Sequence, residues 1–203
     1  MENLVELSAN GNNLYILPQE IGNIGQLNAI YVDKNVRLYT LPASTSDKEI
    51  GYYSCGTEPI PLDLLENISH IYIQHSLTEK VPLVLPPELR HVCDTNDCVA
   101  TLVELALRKC SECSCEEDIQ FSIPQDLYSL LTCPTSTCEM CSNNIYTSGF
   151  PVVYKNTSNS VYILGFCCSL ACTKQCYFTR KRHLPVVYPS SEDLKLGLVL
   201  VFQ

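Results

Sequence analysis

The sequence predicts an α/β chain: a short leucine-rich-repeat solenoid segment, then an α+β region that ends in a cysteine module with zinc-binding spacing. Three observations carry this expectation. A pattern of leucines and an asparagine recurs near the start, two segments of helical spacing occupy the middle, and seven cysteines gather between positions 133 and 176.

The repeat comes first. Leu4, Leu7, Ala9 and Asn12 are matched 23 residues later by Leu27, Ile30, Val32 and Asn35. Leu14 and Leu17-Pro18 are matched 24 residues later by Leu38 and Leu41-Pro42. This is the L-x-x-L-x-L-x-x-N-x-L arrangement of a leucine-rich repeat, in which each turn stacks its apolar edge on the next. Leu4, Leu7 and Ala9 point inward, and the asparagines are expected to bond backbone groups that have no ladder partner where the chain leaves each strand. Strand alternation turns Glu6, Ser8 and Asn10 outward in one repeat and Ala29, Tyr31 and Asp33 in the next. Those six residues are the expected lining of a concave protein-binding face, the surface such solenoids use. Two repeats are fewer than a solenoid needs, so this segment reads as the C-terminal end of a longer one.

Residues 43–60, rich in Ser, Thr, Gly and Pro, read as an exit loop. "HIYIQ" (70–74) is a strand, and "VPLVLPPELRHV" (81–92) an edge strand limited by its prolines. His70 and His75, an odd number apart on one strand, face opposite ways and do not share a metal. "CVATLVELALRKC" (98–110) predicts a helix capped by Asp97 and burying Val99, Leu102, Val103 and Ala106. "SIPQDLYSLL" (122–131) predicts a second helix with Ser122 near its cap and Pro124 in its first turn. Between them "CSECSC" reads as an exposed acidic loop.

The cysteines decide the chemistry. There are thirteen, an odd number, so a fully paired intramolecular framework is excluded. Nothing at the start has the basic and apolar regions of a signal peptide, so a cytoplasmic setting is expected, where thiols stay reduced. Cys138-x-x-Cys141 has the spacing that puts two sulfurs on one tetrahedral ion. After a stretch that reads as a β-hairpin, Cys168 ends a strand and Cys172 follows one helical turn on. The segment "FCCSLAC" is similar to the second half of treble-clef-like zinc fingers. Cys138, Cys141, Cys168 and Cys172 are therefore the candidate ligands of a structural Zn²⁺, with Cys133, Cys167 and Cys176 as alternates. A closed set of four thiolates leaves no open coordination position for catalysis, and no enzymatic activity is expected.

Net charge is −9 and pI near 4.8. A surface of that sign does not suit nucleic acid or an anionic membrane. The boundaries that follow are repeats over 1–42, a connecting and capping region over 43–132, the cysteine module over 133–176, and an unassigned tail over 177–203.

Taken together, "LNAIYVDKNVRLYTLP", "VLPPELRHV", "IPQDLYSLLTCP" and "CEMC…FCCSLAC" resemble the C-terminal half of the leucine-rich repeat-containing protein 28 family, across roughly residues 1–176. The resemblance implies a non-enzymatic cytosolic interaction protein. The expected function is a scaffold or adaptor that binds an unidentified protein partner on its concave face. Two alternatives are a substrate-recruiting subunit of a ubiquitin ligase and a thiol–disulfide oxidoreductase using Cys138 and Cys141.

Overall fold

A computed structural model describes residues 3–74, 80–89, 91–92, 100–112, 122–155, 162–180 and 198–199. Strands β1 (Glu6–Ser8), β2 (Ala29–Tyr31) and β4 (Glu49–Gly51) form a parallel sheet in the order β1-β2-β4. Glu6 pairs with Ala29 and Ala29 with Glu49, so successive rungs lie 23 and then 20 residues apart. Parallel pairing continues past the strands, with Ala9 N–H donating to Tyr31 O and Val32 N–H to Gly51 O, at 2.8 and 2.9 Å. Leu27, Ile30 and Val32 are fully buried along the inner side.

The third rung corrects the expectation of an exit loop over 43–60. Ile50 sits in register with Ile30 and Leu7, and Ile60-Pro61 stands where Leu17-Pro18 and Leu41-Pro42 stand before it. Each dipeptide is followed by a turn of helix: 3₁₀ turns at Gln19–Asn23 and Ala43–Thr45, then helix α1 (Leu62–Leu65). The fixed φ of proline suits it to the entry of such a turn. The two 3₁₀ turns lie so close that a Cβ on Gly22 would come within 1.9 Å of Ser44 O, so this position accepts only glycine.

Asn35 does what its place in the repeat predicts. It is fully buried; its amide donates to Ala9 O (2.9 Å) and Val32 O (2.7 Å), and its Oδ1 accepts from Leu14 N–H (3.1 Å). Asn12, one rung earlier, is exposed and bonds only Ala9 O and Asn10 O of its own turn. One rung later the position belongs to Cys55, whose thiol donates to Val32 O at 3.0 Å.

Strand β3 (Thr40–Pro42) ties this region to the rest. It runs parallel to β11 (Tyr162–Cys167), which pairs antiparallel with β10 (Ser148–Lys155); β7 (His91–Val92) completes the sheet order β3-β11-β10-β7. β5 (His70–Gln74), β6 (Lys80–Val84) and β12 (Leu198–Val199) form a separate sheet with β6 at one edge and β12 at the other. One apolar core runs from Leu17, Leu27 and Ile30 through Ile73 and Leu83 to Leu164, Phe166 and Cys176. No helix among the described residues is long and apolar enough to cross a membrane.

Two helices depart from expectation. α2 (Leu102–Ser111) is capped by Thr101, whose hydroxyl accepts from Glu104 N–H at 3.2 Å; Asp97 and Val99 lie outside the described residues. Its buried positions are Glu104 and Leu107, whereas Leu102, Val103 and Ala106 are exposed, Leu102 at 82%. The periodicity was that of a helix, but the opposite face docks. α3 (Gln125–Thr132) begins after Pro124 with no side-chain cap, and Ser122 lies outside it.

Asn35→Ala orphans two buried carbonyls and an amide. The change is expected to lower unfolding free energy by about 3 kcal/mol in urea denaturation. Asn12→Ala, at the exposed equivalent, should change it by less than about 0.5 kcal/mol.

Candidate metal centre

Strands β8 (Ser136–Thr137) and β9 (Asn144–Ile145) pair antiparallel, and the six residues between them make a tight knuckle. Cys138 N–H donates to Asn143 O (2.8 Å) and Ser142 N–H to Cys138 O (2.9 Å). Ser142 takes φ 59°, the left-handed conformation that reverses the chain after Cys141. Glu139 N–H donates to Phe166 O at 2.9 Å, which lays the knuckle against β11. Gly165 permits this approach, since a Cβ there would lie 2.7 Å from Glu139 Cγ.

The second pair comes from the end of the β10–β11 hairpin. Cys168 follows β11 directly, and Ser169 stands before helix α4 (Leu170–Arg180). Ser169 Oγ accepts from Cys172 N–H at 3.2 Å, so the serine caps the helix and places Cys172 one turn inside it.

The four sulfurs of Cys138, Cys141, Cys168 and Cys172 converge, all within 4.8 Å of one another. Cys141 and Cys168 stand 3.5 Å apart and Cys168 and Cys172 3.6 Å. Four thiolates at about 2.3 Å from a tetrahedral Zn²⁺ would be about 3.8 Å apart. The cluster therefore has the donor type, number and spacing to hold a metal ion. These are the four cysteines that spacing singled out. Of the alternates, Cys133 is exposed at the end of α3, and Cys167 and Cys176 are buried in the apolar core. Cys110 is half-buried on α2 and outside the cluster, and the rest of "CSECSC" lies outside the described residues.

The electrostatics favour a charged sulfur at Cys138. The thiol of Cys167 hydrogen-bonds to it, backbone amides including Cys168 N–H (3.3 Å) point at it, and its pKa falls to about 3. The reciprocal hydrogen bond with Cys138 keeps Cys167 protonated. Burial, then the neighbouring sulfurs of Cys141 and Cys172, push the Cys168 thiol up. Burial likewise raises Cys141.

Two residues that sequence reasoning passed over stand behind the site. Glu104, fully buried on α2, accepts from the successive amides of Tyr146 (3.1 Å), Thr147 (2.6 Å) and Ser148 (3.2 Å) through Oε2. Its Oε1 accepts from Arg108 at 2.8 Å, and Arg108 donates onward to the carbonyl of Cys168 at 3.4 Å. The signal was the T-x-x-E of "TLVE" and the i, i+4 spacing of Glu104 and Arg108. It marks a helix start and a surface ion pair, not a tertiary anchor.

On the parallel sheet, Glu6, Ser8 and Asn10 are exposed, while Tyr31 and Asp33 are half-buried. Ala29 is only 8% exposed, in register between Glu6 and Glu49, and this corrects its place on an accessible face. Asn10 and Asp33 have a structural task too: Asn10 Oδ1 accepts from Asp33 N–H (2.7 Å) and Asp33 Oδ1 from Tyr53 N–H (2.6 Å), stapling successive rungs. The third rung adds Glu49 and Tyr53, the latter 74% exposed, to the same side. Glu49 approaches the Tyr31 hydroxyl (3.4 Å) and holds that phenol above its usual pKa.

No family model and no solved structure matches the chain.

Ser142→Gly removes the cost of a left-handed non-glycine residue without touching a sulfur. Thermal or urea unfolding should show a gain of about 1 kcal/mol, with metal binding retained.

Proposed function

We propose that this chain is a leucine-rich-repeat scaffold or adaptor whose C-terminal part is a treble-clef-like module closed by one structural zinc ion. The observation that carries the metal half of the reading is the convergence of four sulfurs from a knuckle and from a strand–helix junction. Soft thiolates in a set of four suit zinc, and zinc bound by four protein ligands serves folding rather than catalysis. Cys138, Cys141, Cys168 and Cys172 would hold the ion, with the Cys138 and Cys168 amides fixing sulfur orientation.

The thiol arrangement also weighs against redox chemistry. A reactive CxxC pair presents its low-pKa thiol to solvent. Here the depressed thiol, Cys138, is 3% exposed, and the accessible one, Cys141, is shifted upward.

The scaffold half rests on the repeated parallel rungs and on what their outer side carries: Glu6, Glu49 and Asp33 around Tyr31, with Tyr53 standing clear. Aromatic residues are the side chains that most often anchor protein interfaces. The resemblance to the leucine-rich repeat-containing protein 28 family, drawn from the cysteine spacing and the repeats, points the same way, as does a cytoplasmic setting.

Elemental mass spectrometry on protein purified under reducing conditions should find about one zinc per chain, absent from a Cys138→Ser/Cys172→Ser variant. Affinity capture with the zinc-loaded chain should yield partners that are lost when Tyr31→Ala and Tyr53→Ala are combined. Absence of metal together with a fast-alkylating Cys138 would move the reading to redox chemistry. Capture unchanged by the face variant would remove the concave surface from the function.

A further inference from the structure

We infer that Arg108, held in place by Glu104, is a positioning residue of the metal site. This rests on the zinc reading above. It starts from a buried carboxylate that neither the repeats nor the four sulfurs require.

Glu104 is 0% exposed, and its two oxygens divide their work. Oε2 accepts from three consecutive backbone amides of the turn between β9 and β10, and from the Thr147 hydroxyl at 3.1 Å. Oε1 accepts from Nε of Arg108 at 2.8 Å and pairs with a terminal guanidinium nitrogen at 2.8 Å. That two-point grip fixes the plane of the guanidinium, as carboxylate and guanidinium geometry allows. The remaining donors then face the carbonyl of Cys168, with both terminal nitrogens 3.4 Å away.

That carbonyl is a sensitive place to hold. Cys168 lies between the end of β11 and the cap of α4, so its C=O belongs to neither a strand ladder nor the helix. Its own N–H already donates to Cys138 Sγ. With the amide tied to one ligand and the carbonyl tied to Arg108, both peptide planes flanking a ligand residue are fixed. Hydrogen bonds of this outer kind orient metal ligands and commonly govern affinity.

Charge supports the same role. A zinc ion with four thiolates carries two net negative charges. The Glu104–Arg108 pair is neutral as a whole but oriented: its anionic end meets the amides of 146–148, and its cationic end faces the sulfur side. A fixed dipole with its positive end toward the site favours the charged form. Helix α2 thus becomes part of the metal module, although it lies outside the stretch that holds the cysteines.

The test measures zinc affinity by competition with a chromophoric chelator, and the ligand-field spectrum of the cobalt(II)-substituted chain. The variants are Arg108→Met, Arg108→Lys and Leu107→Ala. The last loosens the docking of α2, because Leu107 is its buried apolar residue, yet touches neither the carbonyl nor a sulfur. Arg108→Met should weaken zinc binding about 10- to 100-fold and shift the cobalt bands, with part of the loss recovered by Arg108→Lys. Leu107→Ala should keep affinity within about threefold and leave the bands in place. If Arg108→Met binds as tightly as the parent chain, or weakens only as much as Leu107→Ala, the inference is overturned. Should Arg108→Met fail to fold, Arg108→Lys against Leu107→Ala makes the same comparison. A parent chain that takes up no zinc would overturn the metal reading itself and this inference with it, a result distinct from a parent that binds and an Arg108 variant that binds equally well.

Discussion

Four sulfur atoms from segments 27 to 30 residues apart meet within 4.8 Å, and the C-terminal half is arranged around that meeting. Thiols packed against one another have little intrinsic reason to stay together. Each is a weak hydrogen-bonding group, and bringing the knuckle to the end of β11 costs loop-closure entropy. A structural zinc ion supplies on the order of 10–16 kcal/mol to such a set, as much as the whole net stability of an ordinary domain. On this account the ion decides whether the knuckle, the β10–β11 hairpin and α4 exist as a unit.

That unit is not an appendage. β11 pairs with β3, a strand drawn from the return arc of the second repeat, so the hairpin extends the repeats sideways and shares their core. Both partners of the ladder come from apolar stretches, Thr40–Pro42 and Tyr162–Leu164, whose residues are all buried. A protein surface on the repeats and a metal in the module would then be mechanically joined. Loss of the ion would loosen β11, and through it the arc behind the sheet that carries Glu6, Tyr31 and Glu49. Helix α2 adds a second tie, since its one buried carboxylate holds the turn that starts the hairpin.

What could be read in the sequence follows from where the physics is local. A knuckle depends on two cysteines and one reversing residue, and a capped helix entrance on a serine before it, so the ligand set could be picked from spacing alone. The first two repeats were legible because Leu, Ile and Asn recur at matched positions. The third was hidden: it is shortened to 20 residues, isoleucine replaces leucine, and a thiol, Cys55, takes the asparagine's place as donor to Val32 O. The docking face of α2 was misread because periodicity marks two opposite stripes without saying which is covered. There a polar demand won. The amides of Tyr146, Thr147 and Ser148 need an acceptor, Glu104 provides it, and Leu102 and Val103 are left facing outward. Ala29 shows a simpler limit, since alternation gives the direction of a side chain but not whether its neighbours rise above it.

The central claim is that one metal ion is held by these four sulfurs and no other donors. X-ray absorption at the zinc edge of the reduced, zinc-loaded chain tests it most directly. The account predicts a single shell of four sulfur scatterers at about 2.3 Å. A shell containing nitrogen or oxygen, or fewer than four sulfurs, would contradict it.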